Sequence, residues 1–207
     1  MTRTILTFAA VAIAAGCSQP ESNTQSRSDY RAVAADVARA EVLDFTPVDR
    51  IPTGAATYQG NIYSEAIVEG VDDFKVLGDL ELTLNFSDVA GREGSSNVGG
   101  RIDNLNLFDD AEDGFDDQGL TGSLAVSGRA EGGRIDASAT GVIGAVVNDG
   151  FGDQNATWQL DLDGDVYDDF ENGDVIAGDV SGGTVGGSDD YDLILTGEGG
   201  FYTERTD

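Results

Sequence analysis

Residues 80–86 of this chain read Leu-Glu-Leu-Thr-Leu-Asn-Phe, and this stretch decides the fold class. Apolar residues occupy every second position and polar residues fill the positions between them, which is the pattern of a strand with one buried face. The same period of two recurs along most of the chain after Gly54. The eight predicted strands cover residues 56–63, 80–87, 98–107, 120–129, 134–143, 158–166, 176–182 and 191–202.

The segments between the strands carry turn residues. They are rich in Gly, Asp, Asn and Ser, most clearly at 109–118, 148–154 and 186–190, and none has the period of a helix. Eight strands joined without helices predict antiparallel pairing in an up-and-down barrel, because closure removes exposed edges. In the third strand the apolar parity changes at Leu105, which indicates either a β bulge or the end of that strand.

Glycine is unusually frequent at the positions of these strands that alternate with the polar residues and otherwise hold apolar ones. A narrow barrel needs them because its strands coil sharply and because bulky residues such as Phe86, Trp158 and Phe201 need space opposite them. We therefore expect an interior filled by side chains, with no open ligand cavity. The glycines are Gly60, Gly100, Gly122, Gly128, Gly141, Gly164, Gly178, Gly182, Gly197 and Gly199.

Carboxylates dominate the opposite parity, and this decides which face meets water. In the lumen of a membrane barrel they would lack cations to pair with, and desolvation costs several kcal/mol per charge. We therefore predict an all-β fold: one soluble, eight-stranded antiparallel barrel with its apolar face inside. These carboxylates are Asp136, Asp161, Asp163, Asp165, Asp179, Asp192 and Glu198.

The first seventeen residues, MTRTILTFAAVAIAAGC, predict a secretory signal that ends at a lipid attachment site. Arg3 precedes an apolar run, Ile5–Ile13, that is too short to span a bilayer. Ala14–Cys17 resembles the lipobox of bacterial lipoproteins, in which the Cys is acylated and begins the mature protein. We predict a signal peptide at 1–16 and lipidation at Cys17; the alternative is an ordinary signal peptide with an incidental Cys.

The charge of the chain limits what holds it at a membrane. With 39 Asp and Glu against 11 Lys and Arg, the protein repels nucleic acid and anionic lipid head groups. The acyl chains on Cys17 are therefore the expected membrane contact, and two chains suffice at ~0.8 kcal/mol per buried CH₂. Ser18 follows the Cys, whereas an Asp there holds many Gram-negative lipoproteins in the inner membrane. The expected location is the cell outer membrane.

Residues 17–53 are predicted to be a lipidated tether, followed by the barrel domain at 54–205. Within the tether, residues 28–45 have either a short, weak helix or a disordered linker, with Ser28 or Asp29 as the candidate cap. The thin apolar stripe of that helix consists of Tyr30, Val33, Val37 and Ala40 or Glu41.

Several short motifs resemble the barrel domains of transferrin-binding protein B, a barrel that also occurs in factor H-binding protein. The motifs are 54–60, 80–86, 99–102, 132–135, 175–178 and 197–202. The resemblance implies the barrel fold and the status of an outer-membrane lipoprotein. The family has two lobes with handle domains, whereas this chain has room for one barrel, and its closing segment is shortened to GGFYTER. Iron capture from transferrin is therefore not implied.

Catalysis is not expected, because the chain has no His, its single Cys is the lipid site and Lys75 is its single Lys. Asp161, Asp163 and Asp165 are weak candidates for calcium ligands, supported by Asp168, Asp169 and Glu171. The spacing departs from the helix–loop–helix calcium loop, which needs Gly and Glu where Val166 and Asn172 stand. On a strand the three Asp point outward in a row about 7 Å apart, which is typical of a solvated face.

The predicted function is a binding or interaction module on the outer membrane, without enzymatic activity or cofactor. A protein partner would bind through the barrel loops, and the acidic loop 109–117, with Phe115, is either a recognition loop or a solvated one. The alternatives are a structural envelope lipoprotein without a specific ligand, a calcium-binding surface protein and a lipocalin-type carrier with a hollow barrel.

Overall fold

The computed structural model describes residues 25–47, 49–51, 54–68, 70–86, 97–109, 118–147, 152–169, 173–185 and 192–206. Within these ranges one helix precedes nine strands. They are α1 (Arg27–Ala40), β1 (Ala55–Val68), β2 (Val71–Asn85), β3 (Val98–Asp109), β4 (Gln118–Gly119), β5 (Thr121–Glu131), β6 (Arg134–Val147), β7 (Gly152–Asp169), β8 (Gly173–Thr184) and β9 (Leu193–Arg205).

The eight long strands form a closed ring of antiparallel pairs. Each pairs with the next along the chain, and β9 returns to pair with β1. The two-residue β4 pairs with β3 beyond the point that β5 reaches. The prediction of eight antiparallel strands in one ring is confirmed, and Gln118–Glu131 fill the place of the fourth predicted strand as β4 and β5.

The first hairpin is longer than the sequence predicted. Strand β1 continues to Val68 and β2 begins at Val71, whereas the predicted strands ended at 63 and began at 80. The alternation is broken there by Ser64, which points inward and is 1% exposed, and by Leu77, which points outward and is 0% exposed. Leu77 is buried on the outer wall because α1 covers it.

The parity change near Leu105 is a β bulge. Leu77 pairs with Asn106 but Asp79 pairs with Asp103, so β3 carries one extra residue. Asn104 lies in the bulge with a φ of 48°, a left-handed conformation that Asn adopts more readily than most residues. Of the two predicted alternatives, the bulge is therefore the one found, and β3 runs on to Asp109.

Side chains fill the interior of the ring. A single cluster of buried apolar residues includes Tyr58, Trp158 and Phe201, all with 0% exposure. Burying each such side chain stabilises the fold by roughly 1.5–3 kcal/mol. The described interior therefore has the packed core that the sequence predicted.

The inward glycines are required mainly by neighbouring backbones. A Cβ on Gly60 would collide with the carbonyl oxygen of Tyr202, and one on Gly178 with that of Asp163. Gly164 differs, because its Cβ would lie 2.6 Å from Cζ of Phe201. Both predicted causes, sharp coiling and room for large side chains, are present, and coiling accounts for more of the positions.

Acidic side chains lie on the outside of the ring. Those at positions 136, 161, 163, 179 and 192 are exposed, and Asp165 is half-buried. The barrel is therefore apolar inside and polar outside, as expected for a wall that faces water. The side chain of Glu198, which was predicted to share this face, lies outside the described part of the chain.

The segment before the barrel is helical at Arg27–Ala40, so the alternative of a disordered linker is not found there. Its cap is Ser26 rather than Ser28 or Asp29. The Asp29 amide donates to the Ser26 Oγ atom, and the Ser26 amide donates to the Asp29 carboxylate at 2.7 Å, which forms a capping box. The Ser26 hydroxyl, which also donates to the Asp29 carboxylate at 2.7 Å, and the Ser26 amide together lower the pKa of Asp29. The predicted stripe Tyr30, Val33, Val37 and Ala40 is the buried face.

After α1 the chain covers an edge of β7. Strand β6 begins at Arg134, which pairs with Asp165, so β7 extends past it at Val166–Asp169. Phe45 forms an antiparallel bridge with Tyr167, and the Thr46 amide donates to the Val166 carbonyl at 2.9 Å. An exposed strand edge would be open to pairing with another chain, and this segment closes it.

Candidate functional site

The helix α1 lies on an apolar stripe of the outer wall, which we call the helix seat. The seat consists of outward-facing residues from six strands, and α1 buries them from outside the barrel. The sequence pattern did not predict this seat. Its members are Tyr63, Leu77, Phe108, Tyr167, Val175, Ala177 and Tyr202.

The first half of α1 packs through aromatic contacts. The Tyr30 ring meets the Tyr63 ring edge to face, with 5.4 Å between centroids, a favoured geometry for aromatic pairs. The Nζ atom of Lys75 lies 5.5 Å from the Tyr30 ring centroid. Val33 completes this contact against Leu77 and Phe108.

The second half of α1 is joined to β9 by a polar chain. The Arg39 guanidinium donates to the Tyr202 hydroxyl at 2.9 Å, and that hydroxyl donates to Glu204 at 3.0 Å. Burial, with the Glu204 hydrogen bond, raises the pKa of Tyr202 well above its ordinary value. The hydroxyl therefore stays protonated and acts as both donor and acceptor between the two charged groups.

Side-chain amides around Asp79 hold the residue before the helix cap. Gln25 and Asn61 donate to the Asp79 Oδ1 atom, the latter at 3.0 Å, and Asn104 donates to Oδ2 at 3.0 Å. Asn106, which is 3% exposed, donates to Gln25 at 3.3 Å. This amide cluster fixes Gln25 to β2 and β3, and Asn61 joins β1 to the same carboxylate. It brings together residues that carried no motif in the sequence.

The calcium candidates Asp161, Asp163 and Asp165 lie on the outward face of β7 in a row. Arg134 holds Asp163 through two contacts, at 2.7 and 3.1 Å. Burial raises the pKa of Asp165; the Arg134 charge opposes that rise and the Asp163 charge adds to it. The three side chains are spaced along the strand and do not converge on one point, as the sequence predicted for a solvated face.

The strand register adds carboxylates on both sides of this row. Asp163 pairs with Asp136 on β6 and with Asp179 on β8, and like charges opposite one another destabilise a sheet. Arg134 offsets part of this repulsion. In the described ranges no group of three or more His, Cys, Asp or Glu is arranged to hold a metal ion.

Other candidates of the sequence analysis lie outside the described residues. These are the lipidation site Cys17, most of the acidic loop with Phe115, and Glu171. They stay predictions. No helix among the described residues combines the length and the apolar character needed to cross a membrane.

Phe45 is a surface feature that the sequence did not indicate. Its side chain is 63% exposed and stacks on Tyr167, with 5.2 Å between ring centroids and 25° between ring planes. Val42, nearby in sequence, is 82% exposed. The position was part of the tether segment, where nothing in the local pattern distinguishes an exposed aromatic from a buried one.

The chain matches no protein-family model, no curated protein and no solved structure. The resemblance to transferrin-binding protein B barrels therefore stays a prediction. The structure is a filled barrel with the helix α1 packed against one side of its outer wall. Among the described residues, the acidic wall and the exposed Phe45 are the surface features that stand out.

Proposed function

We propose that this protein is an outer-membrane lipoprotein, acylated at Cys17, whose barrel is a binding module for a protein partner. The sequence Ala14–Cys17 supports the anchor. The acyl chains would be its membrane contact, because a chain with a net charge of -28 is not drawn to anionic lipids.

The packed interior is the observation that carries the binding role. Tyr58, Trp158 and Phe201 fill the centre of the ring with 0% exposure, so a lipocalin-type carrier, which needs a hollow barrel, is not favoured. A partner would meet the outer wall or the loops, where binding residues commonly stand on a rigid scaffold. We propose no catalytic role, because the chain has no His and a single Lys.

The anchor is tested by fractionating cells that produce the full chain or its Cys17→Ala variant. We expect the wild-type protein in outer-membrane fractions and labelled by a radioactive fatty acid, and the variant unlabelled and released. Ser18→Ala is the matched control, because it changes the neighbouring residue and keeps the thiol. A Cys17→Ala protein that stayed in the membrane would contradict the anchor.

The binding role is tested with the full chain displayed on intact cells and crosslinked to its surroundings. We expect one protein to be enriched reproducibly over cells that display an unrelated lipoprotein. Failure to enrich any protein would favour the alternative of a structural envelope lipoprotein.

A further inference from the structure

Phe45 presents an aromatic face to solvent from a fixed position. Among the large apolar side chains that are exposed in the described ranges, it is the aromatic one. Its other face rests on Tyr167, which is 9% exposed and packs in the helix seat. One face of the Phe45 ring therefore packs against Tyr167, and the other face is open to solvent.

The backbone on both sides of Phe45 is also fixed. The Thr46 amide donates to the Val166 carbonyl at 2.9 Å, and the Asp168 amide donates to the Asp44 carbonyl at 3.1 Å. A surface aromatic without such support would lose conformational freedom when a ligand bound. Here that freedom is already lost in the free protein, which favours binding.

Several carboxylates lie near this ring pair. Asp44 and Glu41 are exposed on the same segment, and Asp165 lies two residues before Tyr167 on the outward face of β7. Burial raises the pKa of the Tyr167 hydroxyl, and the charges of Asp165, Glu41 and Asp179 raise it further.

Two arginines of the described segments near this ring pair are already engaged. Arg50 contacts Asp168 at 3.1 Å, and Arg39 bonds to Tyr202 and lies 3.5 Å from Asp36. Carboxylates therefore outnumber the available positive charges around the open face of Phe45. An arginine side chain has the matching chemistry, because its planar guanidinium stacks on aromatic rings and pairs with carboxylates through paired hydrogen bonds.

We infer that Phe45, with the carboxylates of Glu41 and Asp165 near the Tyr167 ring that supports it, is the recognition point for an arginine side chain of a basic protein partner. This inference rests on the proposed binding function and names the chemical class of its partner. Arginine is favoured over lysine, since an ammonium group can lie over a ring but has no plane to stack on it and does not pair with a carboxylate in a bidentate way.

The experiment measures the binding of a fluorescent nona-arginine peptide to the purified full chain by anisotropy. Phe45→Ala should weaken binding about two- to five-fold, as expected for loss of an exposed cation–π contact, and Phe45→Trp should retain it. Ile194→Ala is the matched control, because Ile194 is a 50% exposed apolar residue on β9. The affinity for a nona-lysine peptide should fall less on the Phe45→Ala substitution than the affinity for nona-arginine does.

Three results would overturn the inference: equal affinities for wild type and Phe45→Ala, an equal loss in Ile194→Ala, or Phe45-dependent binding to phosphatidylcholine vesicles. Circular dichroism melts confirm that each variant is folded. The assay needs no membrane, so its failure would leave the Cys17 anchor and any crosslinked partner unaffected. Failure of the anchor would likewise leave this assay intact.

Discussion

Arg39 of α1 and Tyr202 of β9 are joined by a 2.9 Å hydrogen bond, although 163 residues separate them in the sequence. The Tyr202 hydroxyl donates onward to Glu204, so it links a cation on the helix to a carboxylate on the strand. The helix is thereby fastened to the strand that closes the ring.

Removing the hydroxyl should loosen this link. Tyr202→Phe keeps the ring packing but loses both hydrogen bonds, so we expect a loss of about 1–3 kcal/mol in the free energy of unfolding. Tyr202→Ala also removes the ring and should cost more, about 3–5 kcal/mol. Urea unfolding monitored by Trp158 fluorescence measures both. Identical midpoints for wild type and Tyr202→Phe would show that the link contributes nothing.

The amide cluster should fix the start of α1. Asp79→Ala removes the acceptor shared by Gln25, Asn61 and Asn104, so we expect about 1–3 kcal/mol of destabilisation. Hydrogen exchange of the first-turn amides of α1 should become faster. Asp161→Ala, at an exposed position on β7, is the control and should change neither quantity. Unchanged exchange in Asp79→Ala would contradict this role.

The close approach at Gly164 should make it intolerant of a side chain. A Cβ there would lie 2.6 Å from Phe201 and 2.7 Å from the Ala177 carbonyl oxygen, so Gly164→Ala should cost about 1–3 kcal/mol through overpacking. Gly99→Ala is the matched control, because nothing lies within 4 Å of its Cβ position. Its effect should stay within about 0.5 kcal/mol. Thermal melts compare the two variants, and equal melting temperatures would refute the difference.

Asp165 should oppose folding at neutral pH. Burial raises its pKa above the ordinary 3.8, so the folded state favours the protonated form. The stability gained by keeping Asp165 protonated in the folded state is present below pH 3.8 and is lost as the pH rises through the folded pKa. Asp165→Asn, which is always neutral, should therefore be more stable than wild type at pH 7 and equal to it at about pH 3. An Asp165→Asn variant that is less stable than wild type at pH 7 would contradict this prediction.

Calcium should not act through the β7 row. The side chains of Asp161, Asp163 and Asp165 lie along a strand, and Arg134 already holds the middle one. We expect the melting temperature to rise equally in calcium and magnesium, because both screen the negative charge. A calcium-specific rise that disappears when all three Asp are replaced by Asn would establish the site.

The alternation of apolar and polar residues was sufficient to predict the barrel, because side-chain parity on a strand is a local property. The stripe of α1 was predictable for the same reason, down to Tyr30 and Val37. The helix seat was not, because its seven members are spread over six strands and only the register brings Tyr63 and Tyr202 to one side. Phe45 was missed because its exposure depends on how the chain turns after α1.

If the proposed lipid anchor at Cys17 is present, the amide cluster also limits how far the barrel stands from a bilayer. If Cys17 carries the lipid, eight residue steps separate it from Gln25, which is hydrogen-bonded to Asp79. At roughly 3.3–3.6 Å per residue they span at most about 29 Å. Strand β7, with 18 residues, is about 60 Å long at 3.3 Å per residue. The distance from the bilayer to Gln25 would then be shorter than the length of strand β7. A partner would therefore have to bind the barrel close to the membrane surface.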